Sequence, residues 1–407
     1  MQSGLSRQLS VEDIGLPVLR SNNIVNGQID LSDIKFWHLV DTKGSKTENY
    51  FLKKDDLLVN FINSLGKMGK SAVYNDELKR PTIFTTNLMR LNFKKNINTY
   101  FIYYFFNTTY YKNYIDKITK PAVNQASFTT KDFKKMELKI PTMPEQFKIS
   151  KFLKHIDKKI ELLENKLGYH QDFKKYLMQQ IFTQKLRFNF TDEWEKYLLG
   201  DISLIGKGFT PSTSNPSFWD GDLKWLSIAD MNQGKYINQT TKKITSDGSK
   251  NKEPVKKGTL LMSFKLSIGK LGILTEDMYT NEAICNFKWK NKDVMTEYMY
   301  YYLSSINILK YGSQAAKGIT LNNETLSTIP VLLPSLEEQK KIINILSDVD
   351  LKISMLENSI NDTSKFKKGL LQQMFNYVRI LYNLFEILIF LDHLLIFLIV
   401  FHTHYYS

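Results

Sequence analysis

A chain of 407 residues with one cysteine, Cys285, and six histidines excludes a disulfide framework and a cysteine-rich metal site. A net charge of +14 and a pI near 9.3 favour a polyanionic partner, nucleic acid above all. Met1 is followed by QSGLSRQLS, which offers no apolar run for a secretory signal, so the expected compartment is the cytoplasm.

Residues 1–140 are rich in Asn, Thr, Tyr, Phe and Lys, and short runs such as LKKDDLLVNF read as strands. Within them, Ser64–Ser71, SLGKMGKS, ends in the closing half of a phosphate-cradling loop, although Ser64 stands where the opening glycine belongs. A nucleotide-dependent enzyme acting through Lys70 and Ser71 is therefore an alternative reading. The stretch has a sister, however. YFLKKDDLLVNFINSLGKMG from Tyr50 and EPVKKGTLLMSFKLSIGKLG from Glu253 share Lys53-Lys54, Leu57-Leu58, Phe61, Ser64, Gly66-Lys67 and Gly69, and the second copy then runs on as Ile273-Leu274 without a Lys-Ser. What the copies hold in common is a strand and a Gly-Lys-x-Gly turn, which points to internal duplication. The aromatic stretches TYFIYYFFN (Thr99 to Asn107) and EYMYYYL (Glu297 to Leu303) read as buried helices.

The clearest repeat follows. Pro141 to Phe182 aligns without a gap on Pro334 to Phe375. In the first copy Ile149, Leu153, Ile156, Ile160 and Leu163 recur in steps of four and three; in the second Ile342, Leu346, Val349, Ile353 and Leu356 do the same. Each stripe is the apolar seam of one long helix, and each has the other as its natural partner. The order is therefore globular unit (1–140), helical spacer (141–187), globular unit (188–333), helical spacer (334–376), then a hydrophobic tail (377–407). From Ile380 to Phe401 the tail is long enough to cross a bilayer, but Glu386, Asp392 and His393 inside it argue against a membrane span.

The lysines fall in loops rich in Gly, Ser, Asn and Gln. KITKPAVNQASF (Lys117 to Phe128) and KYGSQAAKGITL (Lys310 to Leu321) occupy equivalent places before each rod. Amides and hydroxyls there suit base edges and the lysines suit phosphates. The DNA-contact candidates are Lys67, Lys70, Lys120, Asn124 and Gln125 in the first unit, and Lys207, Thr210, Ser212, Lys265, Lys270, Gln314 and Lys317 in the second. No catalytic or metal-ligating set is expected.

These residues carry a resemblance. EQKKIINILSDVDLKI, its sister EQFKISKFLKHIDKKI, and WEKYLLGDISLIGKGFTPSTSNPSFWDGDLKWLSIADM, with Leu199-Gly200-Asp201-Ile202, Gly208 and Thr210-Pro211-Ser212, together resemble the specificity subunit of type I restriction-modification systems. The resemblance implies an α+β chain of two similar target-recognition domains, each followed by a long helix, the helices pairing as an antiparallel coiled coil. It also implies a non-catalytic adaptor without a cofactor of its own, reading a two-part asymmetric site in double-stranded DNA. Two modification subunits carrying S-adenosylmethionine would dock on it and methylate adenine, and ATP-dependent restriction subunits would join them. One departure is expected: aligning Gly15 to Ile29 with Asp222 to Tyr236 sets Met1 opposite Gly208, so the first domain reads as truncated at its start.

Overall fold

The computed structural model describes residues 1–376 apart from 124, 139, 266, 316 and 317, and the backbone alone at 313–315 and 318–320. The candidates Asn124 and Lys317, the side chain of Gln314 and the tail 377–407 lie outside the described residues. The chain divides into two compact units. Unit 1 comprises Met1–Leu163 with the described residues from Ser359 to Asn376, and unit 2 is the continuous stretch Glu164–Asn358.

Unit 1 contains β1 (Gln2–Ser3), β2 (Gly15–Leu19), β3 (Lys35–His38), β4 (Leu57–Asn60), β5 (Ile62–Asn63), β6 (Ser71–Val73), β7 (Ile83–Phe84) and β8 (Leu88–Leu91). Helices α1 (Thr99–Phe105) and α2 (Thr109–Ile118) follow, then the hairpin β9 (Lys120–Pro121) and β10 (Ala126–Ser127), and the first half of α3 (Met143–Phe182), whose residues from Glu164 belong to unit 2. The sheets run β1-β8-β4-β6, β9-β10-β5 and β3-β2-β7. The aromatic stretch is helical, as expected: the Asn98 side chain caps α1 by accepting from Phe101 N–H, and Phe101, Ile102, Tyr104 and Phe105 are buried.

Unit 2 repeats the frame. Its strands are β11 (Glu195–Leu198), β12 (Ser203–Lys207), β13 (Trp219–Leu226), β14 (Tyr236–Ile237), β15 (Lys242–Ile244), β16 (Leu260–Ser263), β17 (Leu271–Leu274), β18 (Tyr279–Thr280) and β19 (Ile284–Trp289). Then come α4 (Thr296–Ser305), the hairpin β20 (Ser313–Ala315) and β21 (Gly318–Thr320), β22 (Pro330–Leu333) and α5 (Leu336–Asn376), whose residues from Ser359 belong to unit 1. The main sheet runs β12-β19-β16-β17-β14, a second β15-β13-β18, and β11 pairs with β22. Both Lys-rich stretches, read as loops in the sequence, are hairpins.

The start of unit 1 differs from the alignment by three residues. Gln2 pairs with Arg90 as Gly206 pairs with Asn286, and Leu5 N–H donates to Phe84 O as Phe209 N–H donates to Thr280 O. Gly4, not Met1, therefore takes the place of Gly208; the loops that follow differ in length, which a gapless alignment hides. Glu137, Leu138 and Ile140, the counterparts of β22 residues, form no strand, since among the described residues no segment of unit 1 takes the place of β11.

Each long helix is locked at its start by a buried glutamine. Gln146 Oε1 accepts from Asn98 N–H at 2.8 Å, while its Nε2 donates to Pro141 O at 2.9 Å and Asn96 O at 3.2 Å. Gln339, its repeat partner, accepts from Met295 N–H at 3.0 Å and donates to Pro334 O at 2.9 Å and Asp293 O at 2.7 Å. A buried amide with both its N–H donors and its carbonyl engaged fixes orientation as well as it stabilises. Within unit 1 Asp157 of α3 pairs with Lys367 of α5, and within unit 2 Lys174 of α3 pairs with Asp350 of α5. The partner's number falls as that of α3 rises, so the helices run antiparallel.

Candidate nucleic-acid interface

In unit 1 the Gly-Lys-x-Gly turn and the hairpin stand side by side. β10 pairs with β5, Ala126 opposite Asn63, and β5 leads into the 3-10 turn Leu65–Lys67. Gly69, at φ +70°, closes the turn; its carbonyl accepts from the buried Tyr111 hydroxyl at 2.8 Å, and a Cβ here would stand 2.8 Å from Ile115 Cγ1. The turn is thus pinned to α2, and Lys70, Lys120 and Gln125 are left exposed beside one another's elements. Lys67 is tethered, its Nζ donating to Asn22 Oδ1 at 3.1 Å. The nucleotide reading fails on this geometry. A phosphate loop opens a helix, whose first amides hold the anion, whereas Ser71 begins β6, is buried, and pairs with Val59.

In unit 2 the stretch Gly208–Ser214 is held from beneath by two indoles. Trp225 Nε1 donates to Phe209 O at 2.9 Å and Trp219 Nε1 to Ser212 O at 3.1 Å. Thr210 Oγ1 accepts from Asn281 Nδ2 at 3.0 Å, and the Ser212 and Ser214 hydroxyls bond each other at 2.8 Å. A Cβ at Gly208 would lie 2.0 Å from Thr280 O and 2.4 Å from Asn281 O, so only glycine permits the strands to approach. Lys252 stands over the Phe209 ring at 4.7 Å and Lys242 over Trp219 at 5.3 Å. Lys207 and Lys265 are exposed, and Lys270 Nζ donates to Asn232 Oδ1 at 2.7 Å.

The same frame carries different side chains at this edge of unit 1. Arg7 grips Asp41 through Nε at 2.8 Å and Nη2 at 2.6 Å; Trp37 Nε1 and Ser45 N–H donate to the same carboxylate at 3.1 Å and 2.8 Å. The guanidinium, followed by the backbone donor, holds Asp41 well below the usual carboxylate range. Arg80 binds Asp13 with both Nη atoms, at 2.7 Å and 2.9 Å.

Two domains matching the family model for the type I restriction modification DNA specificity domain span residues 8–168 and 191–363. The chain belongs to the type I specificity family. It is 25% identical over 392 residues, 91% of this chain and 89% of the relative, to the MjaX specificity subunit assigned to a type I restriction enzyme of Methanocaldococcus jannaschii. It is 22% identical over 378 residues to the EcoKI specificity subunit of Escherichia coli K12, covering 86% and 79% of the two chains. A solved structure of the type I restriction-modification system S subunit from M. genitalium shares the fold at a TM-score of 0.54 and 14% identity, over 92% of each chain. A second solved chain, from work on complex assembly and conformational transition of the type I system, matches at 0.58 and 13% identity, over 91% of this chain and 94% of that one. Membership gives the chain a DNA-recognition role rather than a catalytic one.

In the specificity-family frame the apolar seams begin inside the units. Ile149, Leu153 and Ile156 are buried in the core of unit 1 with Phe101, Phe105, Leu371 and Met374, and Ile160 packs against it. Ile342, Leu346 and Val349 lie in the core of unit 2 with Tyr298, Leu177 and Ile181, and Ile353 packs against that one. Leu163 and Leu356, one turn further on, are half-buried. Asn22, Asn232, Trp219, Trp225 and Asn281 are site residues that sequence reasoning did not single out. Asn22 and Asn232 sit three places apart in the repeat alignment, so only the lysines they hold could have revealed them.

Proposed function

We propose that the chain reads a two-part DNA sequence, one part through each unit, and that it directs adenine methylation and restriction by partner subunits. The observation that carries this reading is one basic frame built twice with different side chains at its edge: Arg7, Asp41 and Arg80 in one unit, Thr210, Ser212 and the tryptophan-backed loop in the other. A shared frame positions the backbone of the duplex equally, while divergent edges select different bases. An asymmetric site follows.

In this reading 1–140 and 188–333 are target-recognition domains and 141–187 and 334–376 are spacer helices, with Ile149, Leu153, Ile156, Ile160, Leu163, Ile342, Leu346, Val349, Ile353 and Leu356 forming the seam that sets their pairing. Lys67, Lys70, Lys120, Lys207, Lys265 and Lys270 meet phosphates; Gln125, Thr210 and Ser212 face bases. Modification subunits, bringing S-adenosylmethionine, dock on the unit 2 part of α3, where Tyr169, Phe173 and Tyr176 recur at helical spacing and are exposed, Tyr169 by 76%. Restriction subunits bring the ATP chemistry. Among the described residues no helix is long and apolar enough to cross a membrane, and a cytoplasmic complex suits the reading.

Co-expression with a cognate modification subunit and genome-wide mapping of methyladenine test it. The expected motif has two unlike parts separated by a constant gap; a single uninterrupted or palindromic motif would sink the proposal.

A further inference from the structure

Where each unit's head helix meets the long helices, the same three residue types converge. In unit 1 the Tyr104 hydroxyl of α1 donates to Asp157 Oδ2 of α3 at 2.8 Å, and Lys367 of α5 pairs with Asp157 Oδ1. In unit 2 the Tyr301 hydroxyl of α4 donates to Asp350 Oδ2 of α5 at 2.7 Å, and Lys174 of α3 pairs with Asp350 Oδ1 at 2.5 Å. Each lysine also stands over its tyrosine ring, at 5.7 Å and 5.5 Å. One carboxylate thus ties together the helix that bears it, the opposite long helix and the head.

A further cation reinforces each joint, and its source is exchanged between the units. In unit 2 Lys235 lies 4.6 Å from the centre of the Tyr301 ring and donates to the Tyr301 and Ser347 hydroxyls, both at 3.2 Å. In unit 1 the position of Lys235 holds the neutral Gln28, and the position of Ser347 holds Lys154, whose ammonium lies 4.6 Å from the centre of the Tyr100 ring. The charge has changed element, and in unit 1 it stands over Tyr100, one turn before Tyr104 on α1. Beside it, in unit 1, lies a cleft of about 370 Å³ whose lining includes Tyr100, Tyr103, Tyr104, Lys154 and Asp157.

We propose that Asp157 and Asp350, with their tyrosine and lysine partners, are positioning residues that fix the angle between each reading head and its helix, and so restrict the protein to one gap length between half-sites. This rests on the two-part reading above. Adding one base pair moves a half-site by about 3.4 Å and turns it by roughly 35°, so the head must resist rotation. Bonds from two elements to a carboxylate carried on a third supply that resistance, where two elements alone would leave a hinge.

The test selects duplexes from a random-sequence pool with the full chain and sequences them. Tyr104→Phe and Tyr301→Phe remove only a hydroxyl and keep the fold; Asp157→Asn and Asp350→Asn go further. Each variant is expected to retain both half-site sequences while the share of sites with a gap one base pair longer or shorter rises by about fivefold, the size of one net hydrogen bond. Lys367→Arg, which keeps the ion pair, should stay as sharp as the parent. Folded variants with an unchanged gap distribution, or with half-site sequences lost at an unchanged gap, overturn the proposal. A parent chain that selects no two-part motif overturns the underlying reading instead.

Discussion

Lys67 and Lys270 occupy the same place in their turns, and in both an asparagine holds the ammonium. A tethered lysine has surrendered rotamer freedom before any partner arrives, so it meets a phosphate at small further entropic cost. Lys67→Ala and Lys270→Ala should each weaken DNA binding without altering the bases preferred, and each should lower the salt slope of affinity by about 1; titrations at several salt concentrations decide this. Gly208→Ala forces apart strands that approach too closely for a Cβ. It should abolish selection of the half-site read by unit 2 and leave the other intact in the same duplex-selection assay. Asp41 acts on stability. Its carboxyl is more acidic folded than unfolded, held down first by Arg7. It therefore stabilises unit 1 in full above about pH 4, the unfolded value, and loses that contribution as the pH falls further. Melting curves of Asp41→Asn should show a shallower acid decline than the parent.

At the scale of elements, the long helices were legible because a period-3.5 stripe is written within one segment and does not depend on distant partners. The strands around LLVNF and LLMS and the two aromatic helices were legible for the same reason, each being a local apolar run. What the stripe could not say is which surface each position meets: Leu153 and Leu346 are wholly buried among head residues as well as opposite the other helix. The first hairpin was hidden in part because β10 pairs with β5, some sixty residues earlier in the chain, as well as with its neighbour β9. The indoles beneath Phe209 and Ser212 were hidden likewise, their role residing in bonds to a loop that periodicity does not reach. Leu153→Ala should cost unit 1 about 2–5 kcal/mol, and Leu346→Ala should cost unit 2 a similar amount. Hydrogen exchange read separately over Leu57–Asn60 and Leu260–Ser263 should show each loss confined to its own unit.

For the whole molecule, a charge of +14 draws any duplex in without regard to sequence, and on the proposed reading discrimination falls to two heads acting together. Binding through one head raises the effective concentration of the other half-site for the second, so the pair recognises far better than either alone. The division of the chain also sets a timetable. Unit 2 is continuous, whereas the core of unit 1 is completed by Leu371 and Met374, which the ribosome adds more than two hundred residues after α2. The half translated first is therefore the half finished last. A chain released at Asn358 should leave the nascent amino-terminal domain open to protease while its later-made neighbour resists, so a nonsense codon near the 3′ end damages the reader encoded at the 5′ end.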